Sequence, residues 1–231
     1  MARVIPPLLS AIAGMVDLLG FFTLGNVFTA HITGNLVVMA ASIARGGPWS
    51  PAQVLTIPVF VAALSAVWVF ARVSRLRGTD LAYRLLCIQF AALTLVLLVS
   101  ISMHPSMHPH SAIAVTTAMI AVFAMASQYA LFRLALPDAV STAVMTGNLT
   151  NTTLSLVDEL SAHRPMMPDD SDRLRQSLHL LIGFFLGCVV AAAAIPVLGD
   201  WAWSLPVLLA AVAIIYVAAI RRSTTTLGVN S

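Results

Sequence analysis

Five long apolar runs decide what this chain can become: residues 54–71, 85–102, 111–132, 178–197 and 203–220. Each is close to the roughly 20 residues an α-helix needs to cross about 30 Å of hydrocarbon. Little between them could coat a water-facing surface. Only 9% of the 231 residues are charged and 59% are hydrophobic, with a mean hydropathy of +0.94; an ordinary soluble domain carries about 25% charged residues. In lipid the backbone must satisfy its own donors and acceptors, and a helix does so within one segment. The expected fold is therefore an all-α, polytopic membrane protein whose first partner is the lipid bilayer.

The basic isoelectric point, about 9.4, does not point to nucleic acid. All twelve basic residues are arginines lying between the apolar runs, where membrane topology accounts for them. Residues 5–24 form a further apolar stretch behind Arg3, with no polar break after it, and are taken as the first span rather than a cleaved leader. If the chain crosses six times from a cytoplasmic N-terminus, eleven arginines lie inside and only Arg45 outside. Eight crossings would divide them seven against five. Cytoplasmic flanks carry the excess of Lys and Arg, which favours six crossings with both termini cytoplasmic. The half 1–110 then crosses at 5–24, 52–71 and 82–102, and the half 111–222 at 111–132, 177–197 and 203–220. Three crossings each is an odd number, so the second half lies upside down relative to the first, as an inverted repeat. Residues 223–231 form a disordered cytoplasmic tail.

The two halves share one conspicuous polar sequence. Residues 29–36 read TAHITGNL and residues 142–149 read TAVMTGNL, agreeing at six of eight positions. Each Thr-Gly-Asn element is expected to be a broken or re-entrant segment, tolerated in a membrane only against protein or a water-filled cavity. Helical spacing would stack Thr29 on Thr33 and His31 on Asn35, and likewise Thr142, Thr146 and Thr150. Interrupted segments at matching places in two halves point to a transport site, which makes His31, Thr33, Gly34, Asn35, Thr146, Gly147 and Asn148 solute-path candidates. The competing reading is that these small and hydroxylated residues only pack helices together. Gly183 and Gly187, in a GxxxG motif, are assigned to packing.

Asp17 is the sharpest single residue. It falls roughly 18 Å along a helix beginning at Ile5, near the middle of the bilayer, where an ionisable group costs about 2.5–3.5 kcal/mol on insertion scales. That cost makes it a candidate proton-coupling carboxylate or cation ligand, with Gln128 and Gln89 as candidate partners at similar depth. Asp138, after Pro137, reads as a helix N-cap. The loop MHPSMHPH (103–110) offers His104, His108 and His110 beside two methionines, a set that suits copper, but short His-Pro turns are ordinary interfacial loops and no metal is assigned. Cys87 and Cys188 lie inside spans and are taken as small packing residues. The stretch 158–176 reads as a solvated cytoplasmic loop, and the glycosylation sequons at Asn148 and Asn151 as incidental. No GxSxG, HExxH or P-loop sequence is present, so neither an enzyme nor a cofactor is expected.

The stretch AGMVDLLGFFTLGNVFTAHITGN resembles the N-terminal signature of the YoaK-like family of uncharacterised bacterial inner-membrane proteins. The matching positions are Gly14, Asp17, Gly25, Phe28, Thr33, Gly34 and Asn35. Gln128 with MTGNL is similar to that family's second signature. The resemblance spans about 10–220 and implies a six-helix, multi-pass protein of the bacterial plasma (inner) membrane. It implies no substrate. The functional expectation is a transporter or channel for a small neutral or cationic solute or ion, proton-coupled through Asp17, in a bundle thin enough to form a homodimer. The rival expectation is a non-transporting scaffold or accessory protein.

Overall fold

A computed structural model describes residues 4–47, 50–136, 147, 149–150, 152–154, 157 and 168–228. Every regular element among these residues is helical: α1 (Ile5–Thr23), α2 (Gly34–Ala44), α3 (Pro51–Ser74), α4 (Gly78–Met103), α5 (Ala112–Ala135), α6 (Pro168–Leu198) and α7 (Ser204–Gly228). Short 3-10 turns follow α4 at Pro105–Met107 and join α6 to α7 at Gly199–Trp203. Each of the six stretches expected to cross lies within one of these helices, overhanging its end by at most one residue, while several of the helices extend well beyond the expected bounds. Five segments are long and apolar enough to span a membrane: α1, α3, α4, α5 and the 50-residue stretch Leu174–Ser223. The last holds the apolar parts of both α6 and α7. The 11-residue α2 is apolar but too short to span.

Helix ends follow local chemistry. Pro51 opens α3, where a missing N–H costs nothing. Ser111 caps α5 by accepting from the Ala114 N–H at 3.2 Å. α1 stops because Gly25 (φ +83) and Asn26 (φ +58) are both left-handed, which no right-handed helix can continue.

Side-chain pairings give the directions. The Ser10 hydroxyl donates to the Leu180 carbonyl at 2.6 Å. Across the same contact Gly183 faces the carbonyl of Pro7 and, one turn further along both helices, Gly187 faces that of Ala11. The numbers rise together, so α1 and α6 run parallel, in close contact over glycine as the GxxxG spacing suggested. At one end of the bundle the Trp203 indole N–H reaches the Thr23 hydroxyl at 3.3 Å, and His104 Nδ1 lies 2.9 Å from Asp200 Oδ2. At the other end Arg221 Nε donates to Asp80 Oδ1 at 2.6 Å, with its guanidinium 4.6 Å from the Tyr83 ring centre. α7 therefore runs back along α4, opposite in direction to α6.

The central helices are α1 and α5. α1 packs on α6 and α7, while α5 packs on α3 and α4. The outer helices turn large apolar side chains outward, among them Val61, Val73, Leu98, Phe185, Val197 and Ile215. Such a surface suits acyl chains rather than water, and the molecule is a multi-pass membrane protein. Cys87 and Cys188 are free thiols, each half-buried.

Candidate functional site

The chain between α1 and α2 is built around Asp17. After the left-handed pair at 25–26 it turns back along α1, so that residues 29–31 come level with a carboxylate nearly two turns before the helix end. Asp17, 3% exposed, accepts at Oδ1 from the backbone N–H groups of Thr29 (2.8 Å), Ala30 (2.6 Å) and His31 (3.3 Å). Its Oδ2 meets Nδ1 of His31. A carboxylate is acceptor-only, so this network requires the Nδ1 tautomer or the doubly protonated ring. Gly20, one turn beyond Asp17 on the same face, gives the loop its room: a Cβ there would lie 2.7 Å from the Val27 carbonyl oxygen. Gly25 is constrained twice, by its positive φ and by the Pro109 carbonyl oxygen 2.6 Å from where a Cβ would stand.

Three other side chains hold the same loop. Asn35, wholly buried, accepts from the Phe28 N–H at 2.8 Å and donates to the carbonyls of Phe28 (2.7 Å) and Ile32 (3.1 Å). Tyr129 of α5 donates its hydroxyl to the Ala30 carbonyl at 2.6 Å. Gln53 of α3 donates to the Asn26 carbonyl at 3.3 Å. Phe28 stacks on Phe21 with centroids 5.1 Å apart. Four elements thus converge on ten residues of irregular backbone and satisfy its polar groups from within the protein.

The helical stacking expected for the first Thr-Gly-Asn element does not occur. Residues 24–33 are not helical and α2 begins only at Gly34, so Thr29 and Thr33 share no helix face, nor do His31 and Asn35. Thr33 is exposed and makes no capping bond to α2. Thr29 is buried, and its Oγ1 has no hydrogen-bond partner among the described residues. Gly34 packs under the Phe28 ring. In the second copy Gly147 is helical and half-buried; Thr142, Thr146 and Asn148 lie outside the described residues, as do Asp138 and Asn151.

Nor do the glutamines join Asp17. Gln89 of α4 donates to Gln128 Oε1 at 2.7 Å, and Gln128 of α5 donates to the Leu9 carbonyl at 3.0 Å. Both are fully buried and form a separate polar tie between α1, α4 and α5. In the 103–110 loop His104 pairs with Asp200 while His108 and His110 are exposed. Among the described residues no three His, Cys, Asp or Glu side chains gather closely enough to hold a metal ion.

Of the whole Asp17 cluster, His31 is the member that reaches outward. Its side chain is 34% exposed and lies edge-on to Phe184 of α6, centroids 5.1 Å apart. The pair can share or pass a proton between a buried carboxylate oxygen and a partly open imidazole. Gly20, Tyr129, Gln53 and Phe184 were not singled out from the sequence; the one local signal was Gly20, three residues after Asp17.

Comparison with known proteins agrees with this membrane architecture. The UPF0700 transmembrane protein YoaK of Bacillus subtilis (strain 168) is 47% identical over 38 residues, 16% of this chain and 17% of that protein. No solved structure matches. A family model described as "Protein of unknown function (DUF1275)" matches residues 6–216, nearly the whole chain, which therefore belongs to that family.

Proposed function

We propose that the chain is a transporter or channel for a small neutral or cationic solute, with the Asp17–His31 pair as its proton-handling group. The observation that carries this reading is the pair itself. A carboxylate buried twelve residues into a spanning helix is bonded to an imidazole that is one-third exposed. A relay needs one end shielded and one end open, and intramembrane Asp–His pairs are suited to that work. Arginines are absent from the middle of the apolar runs, which suits a neutral or cationic solute better than a polyanion.

The same reading takes the fold as six crossings in two inverted repeats. Helix packing supports it. The first helix of each half packs on the second spanning helix of the other, α1 on α6 and α5 on α3, and α4 on α5 is matched by α7 on α1. Exchanging the halves leaves this set of neighbours unchanged. Topology reporters at residues 48, 106 and 168 should place the first two outside and the third in the cytoplasm; residue 168 on the outer side would end the six-crossing arrangement.

A scaffold role has its own observation: Asn35 and Oδ1 of Asp17 are wholly engaged with the loop backbone. In the first half we therefore assign Gly34 and Asn35 to shaping the loop, leave the exposed Thr33 out of both roles, and narrow the path to Asp17 and His31. Single cysteines at positions 31 and 33, in a chain lacking Cys87 and Cys188, separate the two roles. Reaction at position 31 with a membrane-impermeant thiol reagent, together with pH-jump currents carried by the wild-type chain in proteoliposomes supplied with methylammonium or glycerol, is the expected result. An unreactive position 31 in folded protein, with position 33 labelled, would favour the scaffold.

A further inference from the structure

We propose that the corner between α3 and α4 is a docking site for an anionic phospholipid, its phosphodiester held by Arg72, Arg75 and Arg77 and its acyl chain lying along α3. The corner is tight. Arg75 ends α3 in a left-handed conformation (φ +54) and α4 begins three residues later at Gly78 (φ +52). Leu76 packs inward against the core while Arg75 and Arg77 on either side of it are exposed. Arg72, one turn earlier, and Arg84, in the second turn of α4, are exposed as well. None of the four has a carboxylate partner among the described residues, because the one acid at this corner, Asp80, is taken by Arg221. Three exposed arginines within six residues of chain at one corner, without a carboxylate partner among the described residues, supply fork-shaped donors that match phosphate oxygens.

What selects a lipid over a free anion is the surface directly beneath. The Arg72 guanidinium sits 4.8 Å from the Trp68 ring centre, and Trp68 is 47% exposed, as an aromatic at the headgroup level should be. Along the same end of α3, Val69, Phe70 and Val73 are exposed. Charge above matches a headgroup phosphate and the apolar flank below matches an acyl chain, for which a water-soluble phosphate has no counterpart. The site lies at the helix ends, away from the Asp17 loop, and does not depend on the transport reading.

The test uses purified full-length chain in detergent, with binding of dioleoyl-phosphatidylglycerol and dioleoyl-phosphatidylcholine compared by native mass spectrometry. The wild type should retain phosphatidylglycerol preferentially. Replacing Arg72, Arg75 and Arg77 together by Gln should weaken that binding roughly 100-fold and leave phosphatidylcholine unchanged, since each surface arginine contributes about fivefold toward an anionic lipid. Arg75→Gln alone should weaken it about fivefold, which covers a triple variant that fails to fold, and Arg45→Gln should change nothing. Equal retention of the two lipids by the wild type, or an undiminished preference in the triple and Arg75 variants, would overturn the proposal. So would displacement of the lipid by millimolar inorganic phosphate, which would make the corner a site for the free anion.

Discussion

Replacing Asp17 by alanine and by asparagine separates the two jobs this carboxylate can have. Alanine leaves the buried N–H groups of Thr29 and Ala30 without acceptors. At about 1–3 kcal/mol for each orphaned donor, the loss is roughly 2–6 kcal/mol before any void is counted. Asparagine keeps an acceptor oxygen at Oδ1, and its amide can donate to Nδ1 of the other neutral His31 tautomer. It gives up only the charge-assisted part of these bonds, roughly 1–2 kcal/mol. With about 2–4 °C of melting temperature per kcal/mol for a chain of this size, Asp17→Ala should melt on the order of 10 °C below the wild type and Asp17→Asn within about 5 °C of it. The assay is thermal challenge in detergent followed by size-exclusion chromatography. An alanine variant that melts within about 2 °C of the asparagine variant would refute the claim that the carboxylate holds the loop. If the order holds, Asp17→Asn becomes the clean probe of transport, because it is folded yet cannot carry the charge.

The other predictions concern the neighbours. Asn35→Ala should cost roughly 2–3 kcal/mol by orphaning the Phe28 N–H and carbonyl, whereas Thr33→Ala, exposed and making no capping bond, should stay within about 0.5 kcal/mol; thermal melts of the two variants check both. Gln128→Leu and Gln89→Leu should each destabilise, but the double variant by about 1 kcal/mol less than their sum, since either single change strands the other amide; a double-mutant cycle measures this. Gly187→Val should abolish folded protein in fluorescence size-exclusion traces, because any Cβ at that position collides with the Ala11 carbonyl across the α1–α6 crossing.

The spans were legible because the bilayer enforces a length: a run of about 20 apolar residues has few alternatives. The GxxxG contact was legible because that spacing places two glycines on one helix face. The polar stripe was misread because helical periodicity was carried through residues 24–33. The stop signal was present, since Gly25-Asn26 directly after an apolar run is the pair that tolerates left-handed backbone at a helix end. What no local pattern announces is that the following residues return to Asp17. That depends on Tyr129 and Gln53, residues 99 and 27 positions from the backbone groups they bind. The glutamines mislead for a related reason. A buried amide seeks both a donor and an acceptor, and another amide supplies both more readily than a carboxylate already occupied by three N–H groups.

That occupancy changes what Asp17 can be taken to mean. The expectation of function rested on cost: about 2.5–3.5 kcal/mol for a mid-membrane carboxylate needs a reason. In the structure much of that cost is offset locally, because the carboxylate receives three backbone N–H groups of the loop that would otherwise lose their acceptor. A residue that resolves a folding problem so fully no longer points to transport by its burial alone. His31 is different. Its backbone N–H is already bound at Oδ1, so its side chain adds only the contact to Oδ2, at the open edge of the cluster beside Phe184. A glutamine there could donate to Oδ2 equally well, without a charge that responds to pH. The transport reading therefore stands on the imidazole rather than on the carboxylate, and His31→Gln is the substitution that should leave the loop in place while removing the proton response.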